Sequence, residues 1–395
     1  MLLLTSFPPD IRLEKEINSL SKNHEIYVLS TRRGTQSSFE RYDKYNVVRI
    51  FNNLERWISN IEILYRIKSY LWVKEIKKFI DKYQIDVLHV HDLPLLYSAV
   101  IVKKKINIPI VSDLHENYPE MLIENKKLPI SEIKTLPQLL KRFISSRKWK
   151  KYEKKILHKV DYIIVVVEEA KQRLLEEHGV EKEKITIISN YENPPKNNVE
   201  KKSNKYFTFF YAGGFDYVRD LETLIIATSM LPHDVKKNIR VLMIGGKGKY
   251  LQKLINLRDS LDLSDVVYLR EFIPFKQMYK LMINCNVGLV PHVKSNHTDS
   301  TIPHKLFQYM ALALPVIVSN CKPLERIISD SDCGLIYESK NPNSLKTQMF
   351  KMYNMQNDLK IMSNNSLCAF NQNYNWSICE KKIINMYKNI EDVWH

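Results

Sequence analysis

Short apolar runs alternate with helix-length segments along the first half of the chain. Each run has the length and the Val, Ile and Leu content of a buried parallel strand. The runs are Leu2–Leu4, Glu25–Ser30, Val47–Phe51, Asp86–His91, Ile110–Leu114, Tyr162–Val167 and Ile185–Ile188. This alternation predicts a doubly wound parallel sheet with helices on its faces.

The first segment between these runs, Ile11–Leu20, has apolar residues at helical spacing. We therefore expect one face of this helix to lie on the sheet and the other face to meet solvent. The inward residues are predicted to be Ile11, Ile17 and Leu20, and the outward ones Arg12, Glu14, Lys15 and Glu16.

A second alternation of the same kind follows a polar stretch at 192–205, which contains prolines and is typical of a linker. Its strands are predicted at Phe207–Tyr211, Arg240–Ile244, Val266–Leu269, Val287–Val290 and Val316–Val318. The fold class is therefore α/β, with two doubly wound parallel-sheet domains facing across a cleft. The predicted divisions are 1–195, a linker at 196–205, 206–372, and a C-terminal helix at 373–395 that is a candidate to pack across the domain boundary.

The segment Asp299–Ser319 combines a helix start with a buried strand. Ser300 and Thr301 precede Pro303, which favours a helix start, and Pro315 comes before an apolar strand. A helix whose first turn carries hydroxyl groups and Lys305 is a candidate anion site. The alternative is an ordinary helix–strand unit.

Glycine is concentrated in the second half, where seven of the nine glycines follow residue 210. Gly213 and Gly214 directly follow a predicted strand, and Arg219 comes just after the loop. Such a loop allows a phosphate to approach the backbone, and an arginine can bind two phosphate oxygens. A tight strand-to-helix turn is the alternative, and it is the reading we prefer for residues 245–248, which lack the ending of a phosphate-binding P-loop.

Histidine and acidic residues gather at the predicted ends of two neighbouring strands. They are His89, His91, Asp92, Asp113, His115 and Glu116. These residue types suit a metal ion, and they equally suit a cleft that hydrogen-bonds sugars. We predict no metal site here, and the chain has no G-x-S-x-G hydrolase motif.

Composition narrows the classes of protein and of partner. The net charge of +16, from 60 Lys and Arg against 44 Asp and Glu, favours an anionic partner. No apolar run approaches the roughly 20 residues of a membrane span, and Met1–Leu4 is read as a strand rather than a signal peptide. The five cysteines lack metal-ligand spacing and are read as reduced thiols of a cytoplasmic protein.

The most basic segment, Lys141–Lys155, interleaves Phe143, Ile144, Trp149 and Tyr152 with its cations. Such a helix suits an anionic membrane surface, so peripheral contact at the inner face of the cell membrane is one interpretation. A solvated helix whose aromatic residues fill the core is the other. A nucleic-acid partner is not predicted, because charge alone supports it and no recognition module accompanies the charge.

Seven motifs in order make the chain similar to the family 4 retaining glycosyltransferases. They are TSFPPDIRLEKEINSL (5–20), VHDLPLL (90–96), SDLHENYPE (112–120), ISNYENP (188–194), YAGGFDYVRDLETLI (211–225), VGLVPH (287–292) and PHKLFQYMALALPVIVS (303–319). The resemblance covers nearly the whole chain. It implies two facing Rossmann-like domains that transfer a sugar from a nucleotide-sugar to an acceptor, with retention at the anomeric carbon and usually without a divalent metal.

The resemblance also implies roles for individual residues. His115 matches the histidine near the transferred sugar, and Arg219 matches a cation that binds the donor diphosphate. The implied donor-binding residues are Gly213, Gly214, Arg219, Ser300, Thr301, Ile302, Lys305 and Gln308, and the acceptor-side candidates are Asp10, Arg12, Asp113 and Glu116. The sequence departs from the family at Ser300 and Gln308, which replace paired glutamates, at Phe215, which replaces a second cation, and at Ala313, which replaces a glycine.

The predicted function is transfer of a sugar from a UDP- or GDP-sugar to a glycan or polyprenyl-linked acceptor, in cell-surface polysaccharide synthesis. Two alternatives stay open. Loss of the glutamates suits a binding or scaffold protein that kept the fold, whereas an acid–base set at His91, Asp92 and Glu116 would suit a nucleotide-sugar epimerase.

Overall fold

The computed structural model describes residues 1–127, 145–194 and 204–394. The chain divides into two compact units. Unit 1 contains Met1–Ser189 together with Cys379–His395, and unit 2 contains Asn190–Ile378. The division after Ser189 precedes the sequence-based boundary at 195, and most of the predicted linker, 196–203, lies outside the described residues.

Unit 1 is built on parallel strands in the orders β2-β3-β1 and β4-β5-β6-β7, and only the pairing of β2 with β3 is antiparallel among those described. The strands are β1 (Tyr27–Thr31), β2 (Phe39–Arg41), β3 (Asn46–Ile50), β4 (Leu88–His91), β5 (Ile110–Leu114), β6 (Tyr162–Val165) and β7 (Ile185–Ile187). The predicted first strand is reduced to a bridge, since Leu2 pairs with both Leu29 and Val90. That bridge joins the two groups of strands.

Helices of unit 1 connect these strands. They are α1 (Ile11–Leu20), α2 (Asn53–Ile61), α3 (Tyr70–Tyr83), α4 (Leu96–Lys103), α5 (Tyr118–Lys127), α6 (Ser146–Leu157) and α7 (Glu168–Arg173). The C-terminal helix (Trp376–Trp394) contributes its residues from Cys379 onward to unit 1. Its Tyr387 hydroxyl lies 2.8 Å from Nδ1 of His89, which ties the end of the chain to β4.

The orientation predicted for α1 is wrong in part. Ile11 is 55% exposed, whereas Leu13 and Glu16 are fully buried. The helix starts where the Asp10 carboxylate accepts a hydrogen bond from the Leu13 amide, at 3.0 Å. Arg12 forms ion pairs with Glu16 and with the buried carboxylate of Asp113 in β5. These pairs turn the Arg12 and Glu16 side chains inward.

Two aromatic residues of the basic segment at 141–155, Trp149 and Tyr152, lie in the core. Residues 141–144 lie outside the described part, and α6 begins at Ser146. Trp149 is fully buried against the ring of Tyr118, and the Tyr152 hydroxyl donates to the carbonyl of Leu93 at 3.1 Å. Because both aromatic side chains are buried, the exposed surface of α6 is basic and contains neither of them.

Unit 2 has a parallel sheet in the order β10-β9-β8-β11-β12-β13. Its strands are β8 (Phe207–Ala212), β9 (Ile239–Gly246), β10 (Val267–Glu271), β11 (Val287–Val290), β12 (Val316–Ser319) and β13 (Gly334–Tyr337). Phe209, Val241, Leu289 and Ile317 are buried in its core. The predicted α/β class, with parallel sheets in two domains, is confirmed.

Helices surround this second sheet. They are α8 (Leu221–Ser229), α9 (His233–Asn238), α10 (Gly248–Ser260), α11 (Phe275–Met282), α12 (Lys305–Ala311), α13 (Lys322–Ser331), α14 (Pro342–Asn354) and α15 (Gln356–Asn373). The C-terminal helix, α16 (Trp376–Trp394), begins in unit 2 and belongs to unit 1 from Cys379 onward. In the part of the chain that the structure describes, no helix is long and apolar enough to cross a membrane.

Helix α12 is buried along its whole length, including the polar residues Lys305 and Gln308. It lies close to β11, because a Cβ added to Gly288 would come within 2.6 Å of Cγ of Tyr309. The amides of Ala313 and Leu314 donate to the carbonyls of Met310 and Tyr309, both at 3.0 Å. This is the Schellman ending, and it places Ala313 at φ 54°, a left-handed conformation that glycine adopts more easily.

We expect Ala313→Gly to raise the free energy of unfolding by about 1 kcal/mol, because glycine removes the left-handed strain and this gain exceeds its entropic cost. Denaturant unfolding monitored by circular dichroism measures the change. Ala311→Gly, two residues earlier in the same helix, is the matched control. It should have the opposite sign, and equal effects of the two variants would contradict the strain at Ala313.

Candidate active site

The loop after β8 in unit 2 is occupied by a lysine side chain. A Cβ added to Gly213 would lie 2.6 Å from Nζ of Lys305, and the φ of Gly213 is 144°. The same ammonium lies 3.8 Å from the ring centroid of Tyr211, and that residue's hydroxyl donates to the carbonyl of Gly214. The predicted donor-binding residues Gly213, Gly214 and Lys305 therefore lie together.

Lys305 is a buried cation with little compensation. The residue is 8% exposed, and Nζ has no hydrogen-bond partner among the residues that the structure describes. Burial, followed by the positive charge of Arg219, lowers the pKa of Lys305 well below its usual range, although Asp216 opposes this. The lowered pKa disfavours the charged form of Lys305, and an anion that reaches Nζ would stabilise the ammonium.

Arg219 contributes a second cation to this cluster. It ends a short 3-10 turn, where its Nε lies 3.4 Å from the Asp216 carboxylate and its Nη1 contacts Nε2 of His292. His292 is buried, and burial, Arg219, Lys305 and His297 together lower its pKa well below the usual range. A neutral imidazole is therefore the acceptor for Arg219. The arrangement concentrates positive charge and hydrogen-bond donors at the end of β8.

The Ser300–Ile302 segment is held by backbone contacts. The Ser300 hydroxyl donates to the carbonyl of Asn296 at 2.9 Å, and the carbonyl of Ile302 accepts from the Asn190 amide group at 3.1 Å. Thr301 is extended and half-buried. Asp299 accepts from the Lys322 amide at 2.8 Å, so its carboxylate is used at the start of α13.

Gln308 lies beside a carboxylate that the sequence analysis did not assign. Its Nε2 donates to Oε2 of Glu192 at 3.2 Å, and Nε2 of His304 lies 3.0 Å from the same oxygen. Glu192 begins the polar stretch at 192–205 and lies in the motif at 188–194, but neither pattern predicts a contact with Gln308. The structure thus adds an acidic group next to the position where the glutamate of the family is replaced.

In unit 1, His115 is the exposed end of a buried polar cluster. Its Nε2 lies 3.0 Å from Oδ2 of Asp113, and its side chain is 23% exposed. Asp113 is fully buried and also accepts from Arg12, whose Nη2 lies 2.9 Å from Oδ1. Arg12 donates in addition to the carbonyl of Ile188, at 2.9 Å. The structure therefore brings together three of the predicted residues, Arg12, Asp113 and His115.

These contacts set the charges of the cluster. Burial disfavours the charge of Asp113, but Arg12 and His115 outweigh it and hold the pKa of the carboxyl well below its usual range. Burial likewise lowers the pKa of His115, and Asp113 and Asp92 overcome this and raise it to about 9. His115 is therefore an imidazolium at neutral pH.

Glu16, His89 and His91 complete the cluster, and with Asp113 their ligand atoms lie within 4.8 Å of one another. Their atom types suit a zinc ion. Arg12 lies 3.1 Å from Oε1 of Glu16 and already pairs with Asp113, so a dication would compete with this guanidinium for both carboxylates. The contacts favour an ion-pair cluster over a metal site.

The two other acceptor-side candidates are placed differently. Asp10 uses its carboxylate to begin α1 through the amide of Leu13. Glu116 follows His115 and is half-buried, and its charge is among the influences that raise the pKa of Tyr118, after burial.

Two family models match consecutive parts of the chain. "Glycosyltransferase Family 4" matches residues 16–191, and "Glycosyl transferases group 1" matches residues 192–367. The chain belongs to the family 4 glycosyltransferases. The predicted family is therefore confirmed, and the two units correspond to the two Rossmann-like domains of this glycosyltransferase.

Individual proteins are similar to this glycosyltransferase at low identity. The uncharacterized glycosyltransferase MJ1178 of Methanocaldococcus jannaschii is 25% identical over 372 residues, which are 94% of this chain and 92% of that protein. MJ1069 of the same organism is 24% identical over 248 residues, 60% of this chain and 59% of the relative. The structure of Anabaena Alr3699/HepE in complex with UDP has a TM-score of 0.71 at 11% identity, covering 98% of each chain.

We expect the His115 imidazole to titrate with a pKa of about 9 in the native glycosyltransferase, against an ordinary value of 6.5. Protonated His115 contributes to the free energy of unfolding, because the folded state binds this proton more tightly than the unfolded state does. The contribution is complete below about pH 6.5 and is lost as pH rises through 9. Histidine NMR of the wild type and of His115→Gln assigns the signal.

Asp113→Asn should lower the pKa of His115 toward its ordinary value. Asp92→Asn, which removes the weaker of the two acidic influences, should lower it by less. The Asp92→Asn variant keeps the buried Arg12–Asp113 pair. It is therefore the variant in which the His115 pKa is measured if Asp113→Asn does not fold. A His115 pKa near 6.5 in the wild type would contradict the charge assignment.

Proposed function

We propose that this glycosyltransferase binds a UDP- or GDP-sugar in unit 2 and transfers its sugar to a glycan or polyprenyl-linked acceptor with retention at the anomeric carbon. The observation that carries the proposal is the buried ammonium of Lys305 beside the Gly213–Gly214 loop. A diphosphate placed there would give the ammonium an anionic partner.

Charge development during transfer supports the same site. When the bond between the anomeric carbon and the donor oxygen breaks, its electron pair stays on the diphosphate. Cations fixed in a low-dielectric pocket stabilise that increase in negative charge more than they stabilise the bound substrate. Lys305 and Arg219 have this role in the proposal, and the compact Gly213 keeps the loop within reach of Lys305. These two side chains, rather than the terminus of the short helix α12, supply the positive charge.

His115 is the proposed catalytic residue of unit 1, and its charge defines what it can do. An imidazolium donates a hydrogen bond and stabilises negative charge, but it does not accept a proton at neutral pH. The proton of the acceptor hydroxyl therefore goes to another base, for which the leaving diphosphate is the natural choice. Asp113 and Arg12 position His115 from behind.

Glu192 is proposed to supply the carboxylate that Gln308 lacks. In the resemblance, the residue at this position hydrogen-bonds the ribose hydroxyls of the donor. Gln308 provides an amide there, and Glu192 lies within hydrogen-bonding distance of that amide. Together they offer a sugar both a charged acceptor and neutral groups.

The acceptor and the cellular role remain part of the proposal. The positive charge of the chain favours a phosphorylated or lipid-linked acceptor at the inner face of the cell membrane, as in cell-surface polysaccharide synthesis. The UDP complex of the Anabaena protein supports UDP as the first nucleotide to test.

Lys305→Met should weaken UDP binding about tenfold to a hundredfold, because one charge-assisted contact is lost. The same change should raise the free energy of unfolding by about 1 kcal/mol, because it replaces a buried amine that has no hydrogen bond among the described residues with an apolar side chain. Calorimetric titration and denaturant unfolding measure the two effects.

Lys351→Met, at an exposed lysine of α14 in the same unit, is the control and should change neither quantity. Unchanged UDP affinity in Lys305→Met would overturn the donor site.

The titrations contain EDTA, since no divalent metal or other cofactor is expected, and binding or transfer that requires added Mg²⁺ would contradict that expectation. UDP binding without transfer to any acceptor would favour the scaffold alternative.

We expect Glu192→Gln to weaken binding of UDP about tenfold while leaving the affinity for inorganic pyrophosphate unchanged, because only the ribose contact is removed. Glu338→Gln, at a surface carboxylate of unit 2, is the control. Equal losses for UDP and pyrophosphate would show that Glu192 acts on the whole site and not on the ribose.

A further inference from the structure

Helix α2 of unit 1 presents its apolar residues to solvent. Leu54, Trp57 and Ile58 are 64%, 42% and 38% exposed. Their spacing places them on one face of the helix, one turn apart. We call these three residues the α2 face.

The helix itself is well formed. Asn52 and Glu55 make a reciprocal capping box at its start. The opposite side is polar, since Ser59 is the buried residue of this helix and Arg56 donates to the carbonyl of Arg32 at 3.1 Å. The arrangement is the reverse of an ordinary surface helix, which turns its apolar stripe toward the core. An exposed cluster of this kind marks an interaction site.

The chain after α2 continues the apolar surface. A π-helical turn, Glu62–Arg66, ends at Ile67 in a left-handed conformation, and α3 then begins with Tyr70, which is 60% exposed. Lys68 lies beside the Tyr70 ring, 5.1 Å from its centroid. Aromatic and basic groups therefore alternate next to the α2 face.

Helix α6 brings further positive charge to this region. Nζ of Lys148 contacts the carbonyl of Tyr65, which joins the start of α6 to the π-helical turn. The exposed basic residues of α6 are Arg147, Lys148, Lys151, Lys154 and Lys155. The acidic residue of this helix, Glu153, is buried and paired with Arg173. The outer surface of α6 is therefore strongly cationic.

We propose that the α2 face inserts into the interfacial region of an anionic lipid bilayer, with the cations of α6 near the headgroups. Apolar side chains on one face and basic groups around them are what an interfacial helix requires. Basic residues near an anionic leaflet contribute about 1 kcal/mol each, and this part falls with salt. A bilayer satisfies both the apolar and the cationic parts of the surface, which favours it over an uncharged partner.

This surface goes beyond the proposed function and does not depend on it. The donor site belongs to unit 2, and the α2 face belongs to unit 1. Aromatic residues of α6 do not carry the contact, because Trp149 and Tyr152 are buried.

Flotation of the full chain with lipid vesicles tests the proposal. Wild-type protein should float with phosphatidylglycerol-containing vesicles, bind phosphatidylcholine vesicles much more weakly, and lose part of its binding at high salt. The triple variant Leu54→Gln, Trp57→Gln and Ile58→Gln should reduce partitioning about tenfold or more.

The matched control replaces three exposed apolar residues elsewhere, Phe272, Ile361 and Val393, with glutamine. It should float like the wild type, and circular dichroism and UDP titration should be unchanged in both triple variants. The tryptophan fluorescence of the wild type should shift to the blue with anionic vesicles only, and because the chain has five tryptophans, loss of the shift in Trp57→Phe identifies its source.

Three outcomes would overturn the proposal. Wild-type protein that does not float with anionic vesicles has no such surface available, whether another segment or a second copy covers it. Equal flotation of the two triple variants would show that the contact with the bilayer lies on another surface. Self-association that the α2-face variant abolishes, in the absence of vesicle binding, would assign the face to an interface between copies of this chain.

Discussion

A lysine ammonium buried beneath the loop that follows β8 is the constraint on which the arrangement of unit 2 depends. Lys305 has lost most of its hydration, and the described residues offer its ammonium no hydrogen bond. Burying a charge in this way is unfavourable unless another group compensates for it. Helix α12 is nevertheless buried over its whole length, with Tyr309 packed against Gly288 and a Schellman ending after Ala311. The side chain is thus fixed at the Gly213 loop, where an arriving anion removes the penalty. Fixed charge of this kind is typical of a site prepared for its ligand.

Unit 1 handles buried charge in the opposite way. Arg12, Asp113 and His115 are paired with one another within the unit, so these three charges balance without a ligand. Because Asp113 and Asp92 raise the pKa of His115, the imidazole keeps its proton and its positive charge at neutral pH. The two units of this glycosyltransferase therefore offer different chemistry. One has positive charge that an anion completes, and the other has a protonated histidine that its neighbours hold in place.

The sequence predicted the order of strands and helices, the family, and several residues that lie together in the structure. Short apolar runs, the Gly213–Gly214 loop and the basic residue after it are local signals, and local signals suffice where a motif has one common geometry. The sequence failed where burial depends on contacts far along the chain. Helical spacing favoured an outward Glu16, and Asp113, about a hundred residues away, is what makes Arg12 and Glu16 turn inward. The aromatic residues of α6 looked equally suited to a membrane or a core, and only the packing of Trp149 on Tyr118 decided.

What the sequence by itself determined is the fold class and the family, because alternating apolar periodicity and ordered motifs need no knowledge of distant contacts. Tertiary structure alone decided the partners of the polar residues. The local sequence around Glu192 does not predict its partner, and the fold brings it to Gln308 from a position far along the chain. Trp57 and its neighbours have ordinary helical spacing, and only the fold shows that the helix face that carries them is exposed to solvent. The reason is the same in each case. Periodicity defines which residues share a face, whereas the environment of that face is set by whichever segments fold against it.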